Sequence, residues 1–210
     1  MTEKYKHIIW DWNGTIFNDL ELALDIVNGI LKDRGVPVLT RDRYLEVFTF
    51  PVQAYYAQIG LDLINEPFEI VGMEWATTYE IRKGEATLHD GVAEKMEEFF
   101  QAGKAQSILS AYKHDLLEEM VSDYGLNKYL HGLSGMDNVY AESKVHIGLE
   151  MIKQIGCPKS EAVLIGDTLH DLDVANEMGI DCILIANGHQ PKHRLEGKGA
   201  IAVLNSAKEL

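Results

Sequence analysis

The sequence predicts an α/β fold: a three-layer, Rossmann-like core with a parallel sheet, interrupted by an inserted all-helical cap domain. Three observations lead there. Short apolar runs, IIW, SILS, AVLI and CILI, are spread along the chain, and from His89 onward they alternate with amphipathic stretches. Strands buried on both faces of a parallel sheet read as such continuous runs, and βα alternation implies right-handed crossovers. Residues 18–85, by contrast, keep helical spacing throughout and hold four of the nine tyrosines. That block is too long to be a loop, so it is expected as an insertion over the C-terminal edge of the sheet.

The elements follow in order. Residues 6–11 read as a buried strand that ends at Asp11 and runs into an Asn13-Gly14-Thr15 turn. Leu20, Ala23, Leu24, Val27, Ile30 and Leu31 share one helical face. Asn18 or Asp19 is the expected cap, and Gly35-Val36-Pro37 the stop. Thr40 opens a short helix with Tyr44, Val47 and Phe48; Pro51 opens another with Tyr55, Tyr56 and Ile59. A fourth runs from about Glu66 to Arg82, with Phe68, Val71, Trp75 and Tyr79 in register. After Asp90-Gly91 comes a helix carrying Val92, Met96, Phe99 and Phe100, ended by Gly103. A strand over 106–109 stops at Ser110, and the next helix carries Leu116, Leu117, Met120, Val121 and Tyr124. A strand-like piece at 130–133 precedes a helix over about Ser143 to Ile155. Residues 162–165 form a strand ending at Gly166-Asp167, and Asp171 begins a helix stopped by Gly179. Strands at 182–185 and 201–203 close the chain.

Composition sets the bounds on function. A chain of 210 residues that is 46% hydrophobic and 25% charged builds one large core, or one core plus a small satellite domain. A formal net charge of −14 argues against nucleic acid or an anionic membrane as partner, while leaving room for an anionic substrate at a locally positive site. Cys157 and Cys182 read as reduced thiols, and no signal segment or long apolar run is present, so a cytoplasmic protein is expected. The sequence leaves monomer and homodimer open.

Parallel strands put their C-terminal ends on one edge, where open α/β sheets bind ligands. Asp11, Ser110 and Asp167 each end a strand, Asp171 lies four residues beyond Asp167, and Lys144 starts a helix that reaches the same edge. Such a site, dense in carboxylates and lacking a His/Cys cluster, suits Mg²⁺.

Together these residues resemble the haloacid dehalogenase superfamily, in its phosphatase branch with a helical cap. Asp11-Trp12-Asn13-Gly14-Thr15 is similar to its first motif, Ile108-Leu109-Ser110 to its second, Lys144 to its third, and Gly166-Asp167 with Asp171 to its fourth. The resemblance implies a core of residues 1–16 and 87–210 and a cap of residues 17–86. It implies Asp11 as nucleophile, forming an aspartyl phosphate on a small phosphorylated metabolite. It implies Mg²⁺ held by Asp11, Asp167, Asp171 and the carbonyl of Asn13. Ser110 and the amides around Gly14, Thr15 and Ala111 would bind phosphoryl oxygens, and Lys144 would neutralise charge.

Asn13 departs from the family pattern, which has a second aspartate there to protonate the leaving group. An amide cannot do that, and general acid–base catalysis is worth about 10²–10⁴-fold. Three outcomes follow. Either the substrate carries a good leaving group, as acyl and aryl phosphates do; or another group, such as His170 or a cap residue, supplies the proton; or the protein is a slow phosphatase or a phosphate-binding module. A related branch cleaving carbon–phosphorus bonds also lacks the aspartate but needs a cap lysine, and Lys32 and Lys83 both read as solvated. Of the remaining polar residues, Asp173 reads as a helix-end acid, Lys153 as a solvated helix residue, Trp12 as packing beside the site, and His189 as a loop residue near the sheet edge.

Overall fold

The computed structural model describes residues 2–140 and 143–210. Six parallel strands form the sheet: β1 His7–Trp10, then, past β2 Phe17–Asn18 and β3 Thr87–Leu88, which lie apart from it, β4 Ala105–Lys113, β5 Gly132–Met136, β6 Ala162–Gly166, β7 Asp181–Ile185 and β8 Ala202–Leu204. Their spatial order is β5-β4-β1-β6-β7-β8. The first strand lies between β4 and β6, each of which ends in a segment carrying site residues.

The two-residue period of the strands sorts the core into two layers. Ile8, Trp10, Ile108, Val163, Ile165 and Ile183 pack with α5 (Val92–Gln101) and α6 (His114–Asp123). Ile9, Leu109, Leu164 and Leu184 face the other way, against α7 (Val145–Gln154) and α8 (Leu169–Met178). A short α9, Lys192–Leu195, follows β7.

Between β1 and α5 the chain is helical, as the spacing predicts: α1 Leu20–Asp33, α2 Arg41–Val47, α3 Val52–Gln58 and α4 Phe68–Arg82. The expected face of α1 is buried throughout. Thr40 caps α2 by accepting from Arg43 N at 3.2 Å. Arg34, just past α1, ties the block together by binding Glu66 and Glu74, each at 2.6 Å.

The structure differs from the sequence expectation at several boundaries. A two-stranded antiparallel ribbon, β2 (Phe17–Asn18) with β3 (Thr87–Leu88), joins the helical block to the core. Ser110 lies inside β4 rather than at its end; the strand continues to Lys113 across a register shift against β5. The fifth strand falls at 132–136, not 130–133. Asp171 is the third residue of α8, whose N-cap is Thr168. Asp19 precedes α1 but makes no capping bond. Both cysteines are free, and no helix among the described residues is long and apolar enough to cross a membrane.

Candidate active site

Asp11 is the first residue past β1, and its amide donates to Ile165 O of β6 at 2.8 Å. Strand pairing therefore fixes where its carboxylate leaves the sheet. Lys144, the residue before α7, is fully buried. Its Nζ donates to Asp11 Oδ1, to Leu109 O at 3.0 Å, and to Asp171 Oδ1 at 2.7 Å. Asp171 Oδ2 accepts from Thr168 N at 3.0 Å, Thr168 Oγ1 at 2.7 Å and Asp167 N at 3.2 Å. A first-turn acid that reaches back to its N-cap is thus turned into the site, in the favourable field of the helix end. Thr15 Oγ1 lies 3.1 Å from both Asp11 Oδ2 and Asp167 Oδ1. Asp11, Asp167 and Asp171 each present an oxygen within 4.8 Å of the other two.

One ammonium bonds two of three clustered buried carboxylates. Burial pushes the Asp11 carboxyl up to about 6 against the pull of Lys144. It pushes Asp167 up to about 8, with His189 opposing and Asp11 adding repulsion. At Asp171 burial is overcome by Lys144, which holds the carboxyl below its usual range. Among the described residues no cationic side chain bonds Asp167; its partners there are the Thr15 hydroxyl and His189 N at 2.6 Å. The donor set is all oxygen, dense and under-neutralised, which fits a hard divalent cation.

Two glycines let the backbone close around Asp167. At Gly14, with φ +76°, a Cβ would lie 2.3 Å from Asp167 Oδ2. At Gly188 it would lie 2.1 Å from that oxygen and 2.4 Å from Gly14 O. Any side chain at either place displaces the carboxylate.

The environment of Asn13 explains the amide at that position. Asn13 Nδ2 donates to Asp19 Oδ2 at 2.7 Å and to Tyr79 OH at 2.8 Å. Asp19 also accepts from Tyr79 OH at 2.7 Å, Gly14 N at 3.0 Å and His189 Nε2 at 3.2 Å. His189 Nδ1 lies 2.9 Å from Tyr44 OH. Burial alone would raise the Asp19 carboxyl, but the bonds from His189, Asn13 and Tyr79 hold it low. His189 is correspondingly raised to about 9, Asp19 outweighing burial. A carboxylate oxygen in the place of Asn13 Nδ2 would face the buried Asp19 carboxylate.

The amides of Gly14 and Thr15, expected to bind phosphoryl oxygens, are engaged otherwise. Gly14 N donates to Phe17 O as well as Asp19, and Thr15 N to Trp12 O. Ser110 and Ala111 do line the cavity over the carboxylates. Ser110 Oγ accepts from Tyr112 N at 3.0 Å and keeps its hydroxyl proton to donate.

That cavity holds about 130 Å³ between the sheet edge and the helical block. Asp11, Asn13, Lys144, Asp167, Asp171, His170 and His189 line one part, and aromatic residues of α2, α3 and α4, with Phe48, Phe50 and Tyr112, line much of the rest. His170 stacks on Phe50, ring centroids 4.6 Å apart. Trp12 is buried against Phe17 and Tyr124, outside the cavity lining. Asp173 and Lys153 are exposed. Neither Lys32 nor Lys83 lines the cavity, and Lys83 pairs with Glu80.

Residues 8–185 match the profile of the haloacid dehalogenase-like hydrolases. The chain belongs to that family. Its relatives include a phosphoglycolate phosphatase from Xanthomonas campestris pv. campestris (strain 8004), 26% identical over 186 residues, which span 87% of this chain and 84% of that one. Pyrophosphatase PpaX of Listeria innocua serovar 6a is 24% identical over 178 residues, 82% of this chain and 79% of its own. Among solved structures, a haloacid dehalogenase-like family hydrolase from Streptococcus pneumoniae superposes with a TM-score of 0.78 at 20% identity, covering 100% of this chain and 97% of that one. This last likeness concerns the fold alone. The family membership agrees with the resemblance carried by the four motifs.

Asp19 and Tyr44 were not legible as site residues; Tyr55, Tyr56, Trp75 and Tyr79 read as helical core with one of them at the substrate entrance, and all four line the cavity, while His189 read only as a loop residue nearby. Asp19 occupies a helix N-terminus, where an acid reads as a cap. The tyrosines fall in register with core faces.

Proposed function

We propose that this protein is a Mg²⁺-dependent phosphatase that hydrolyses a small phosphorylated metabolite through an aspartyl phosphate on Asp11. The observation that carries this reading is the convergence of Asp11, Lys144, Asp167 and Asp171, from four separate segments, beneath one cavity. Asp11 Oδ attacks phosphorus while Lys144 and the Ser110 hydroxyl stabilise charge on the phosphoryl oxygens, with the Ala111 amide beside them. Asp11, Asp167, Asp171 and the Asn13 carbonyl would hold Mg²⁺, which when bound reduces repulsion between the two anions. Lys144 and Thr15 keep the Asp11 carboxylate oriented for attack. The names of the relatives, a phosphoglycolate phosphatase and a pyrophosphatase, support phosphoryl hydrolysis in general terms.

In this proposal residues 17–86 act as a cap over a core of residues 1–16 and 87–210, joined through the β2–β3 ribbon. Closure of such a cap excludes water and selects the substrate.

The test is turnover of acetyl phosphate with Mg²⁺ by the wild type beside Asp11→Ala. Loss of at least about 10³-fold in the variant is expected; absence of any Asp11-dependent turnover sinks the proposal. A second reading, a catalytically weakened binding module, draws on the Asn13 amide being tied to Asp19 and Tyr79. It predicts phosphate binding without turnover. A carbon–phosphorus hydrolase needs a cap lysine at the site, and the lysines expected for it lie elsewhere.

A further inference from the structure

Resting on the phosphatase reading, we propose that the substrate is an aryl phosphate monoester whose leaving group is a single uncharged ring. The cavity divides chemically. Its floor carries the carboxylates and Lys144. Its walls are aromatic: Phe48, Phe50, Tyr55, Phe68, Trp75 and Tyr112. The whole cavity of about 130 Å³ must hold the phosphoryl group as well as the leaving group, and an apolar cavity of about 150 Å³ holds one benzene, so the leaving group is no larger than a single ring.

Charge narrows the class further. Both buried cations among the described lining residues are already committed, and Lys113 stands at the exposed rim. Lys144 lies between Asp11 and Asp171, Lys113 pairs with Asp115 at 2.7 Å, and His189 pairs with Asp19. Glu80 and Asp19 also line the cavity. A carboxylate, as in phosphoglycolate, or a second phosphate, as in pyrophosphate, would be desolvated beside acids with no unpaired buried side-chain cation among the described residues to meet it. A neutral ring meets aromatic faces instead. Two lining polar atoms, Tyr55 OH and His170 Nε2, are buried with no hydrogen-bond partner among the described residues, so an uncharged polar substituent on the ring is accommodated.

The chemistry agrees with the amide at position 13. Asp11 Oδ forms a bond to phosphorus as the aryl oxygen–phosphorus bond breaks. The electron pair departs on a phenolate, a weak base that takes its proton from water. Water then cleaves the aspartyl phosphate, releasing inorganic phosphate and restoring the carboxylate. No strong acid is needed at the departing oxygen, and Asn13 supplies none.

The experiment compares the full chain with Mg²⁺ on phenyl phosphate, phosphoglycolate, pyrophosphate and acetyl phosphate. Phenyl phosphate should exceed phosphoglycolate and pyrophosphate in kcat/KM by at least about tenfold. Trp75→Ala and Phe50→Ala should each lower the phenyl-to-acetyl ratio by about tenfold, chiefly through KM. By calorimetry, phenylphosphonate should bind at least about tenfold more tightly than methylphosphonate. A preference for phosphoglycolate or pyrophosphate, or an unchanged ratio in both variants, overturns the proposal. Acetyl phosphate turnover that depends on Asp11 with no phenyl preference refutes the substrate class alone. No turnover of any compound refutes the phosphatase reading, and equal binding of the two phosphonates then refutes the aromatic pocket as well.

Discussion

Asn13 and Asp19 form a partly buried amide–carboxylate pair. The Asp19 carboxylate accepts from Asn13 Nδ2 at 2.7 Å, and an aspartate in place of Asn13 would set two anions face to face. Asn13→Asp is therefore expected to destabilise the fold by about 1–3 kcal/mol and not to raise turnover of alkyl phosphates. Adding Asp19→Asn restores an amide–carboxylate pair in the opposite sense. Urea unfolding of the two single variants and the double should give a coupling of at least about 1 kcal/mol. Additive effects would show that the two side chains do not oppose each other. This contact also marks where the sequence stops being legible. Asp11, Lys144, Asp167 and Asp171 each stand at a strand end or helix start, so local pattern finds them. Asp19 meets Tyr79 across 60 residues and His189 across 170, and each has a plausible local role that hides the pairing.

At the scale of elements, the loop after β7 is as much part of the site as the strand ends. Gly188 brings His189 N onto Asp167. Gly188→Ala forces a Cβ against Asp167 Oδ2 and Gly14 O, and should cost about 2–3 kcal/mol in stability and about 10²-fold or more in Asp11-dependent turnover. Gly156→Ala, with nothing within 4 Å of its Cβ, is the control and should change neither. The four inserted helices and the alternating strands were legible because their periods run long enough to count. The β2–β3 ribbon was not, since two residues per strand carry no period. Nor was the extension of β4 past Ser110, which depends on pairing with β5 rather than on its own composition.

The whole molecule should register both its buried base and its acidic site. His7 is buried at 2% exposure, with Nε2 2.8 Å from Ser107 Oγ. Burial, aided by the nearby His131, lowers its imidazole from 6.5 to about 4. The unfolded chain thus binds this proton more readily. Stability is full above pH 6.5 and is lost as pH falls toward 4, by about 1–3 kcal/mol from this group. His7→Gln should flatten that part of the curve when unfolding midpoints are compared from pH 4 to 7. Mg²⁺ at about 100 times its dissociation constant should add about 2.7 kcal/mol, or roughly 5–10 °C in Tm. A chelator should reverse the shift, and Asp167→Ala should abolish it.

In the proposed division into core and cap, the ribbon Phe17–Asn18 with Thr87–Leu88 holds side by side the points where the chain leaves and re-enters the core. For a lineage, such a pair is a splice point, where a helical segment can be traded without the sheet losing a hydrogen bond. Asp19 and Tyr79 limit that trade. They belong to the exchangeable segment, yet both are bonded to Asn13, which stays behind. An incoming segment must bring a matching pair, or be inherited together with an aspartate at position 13.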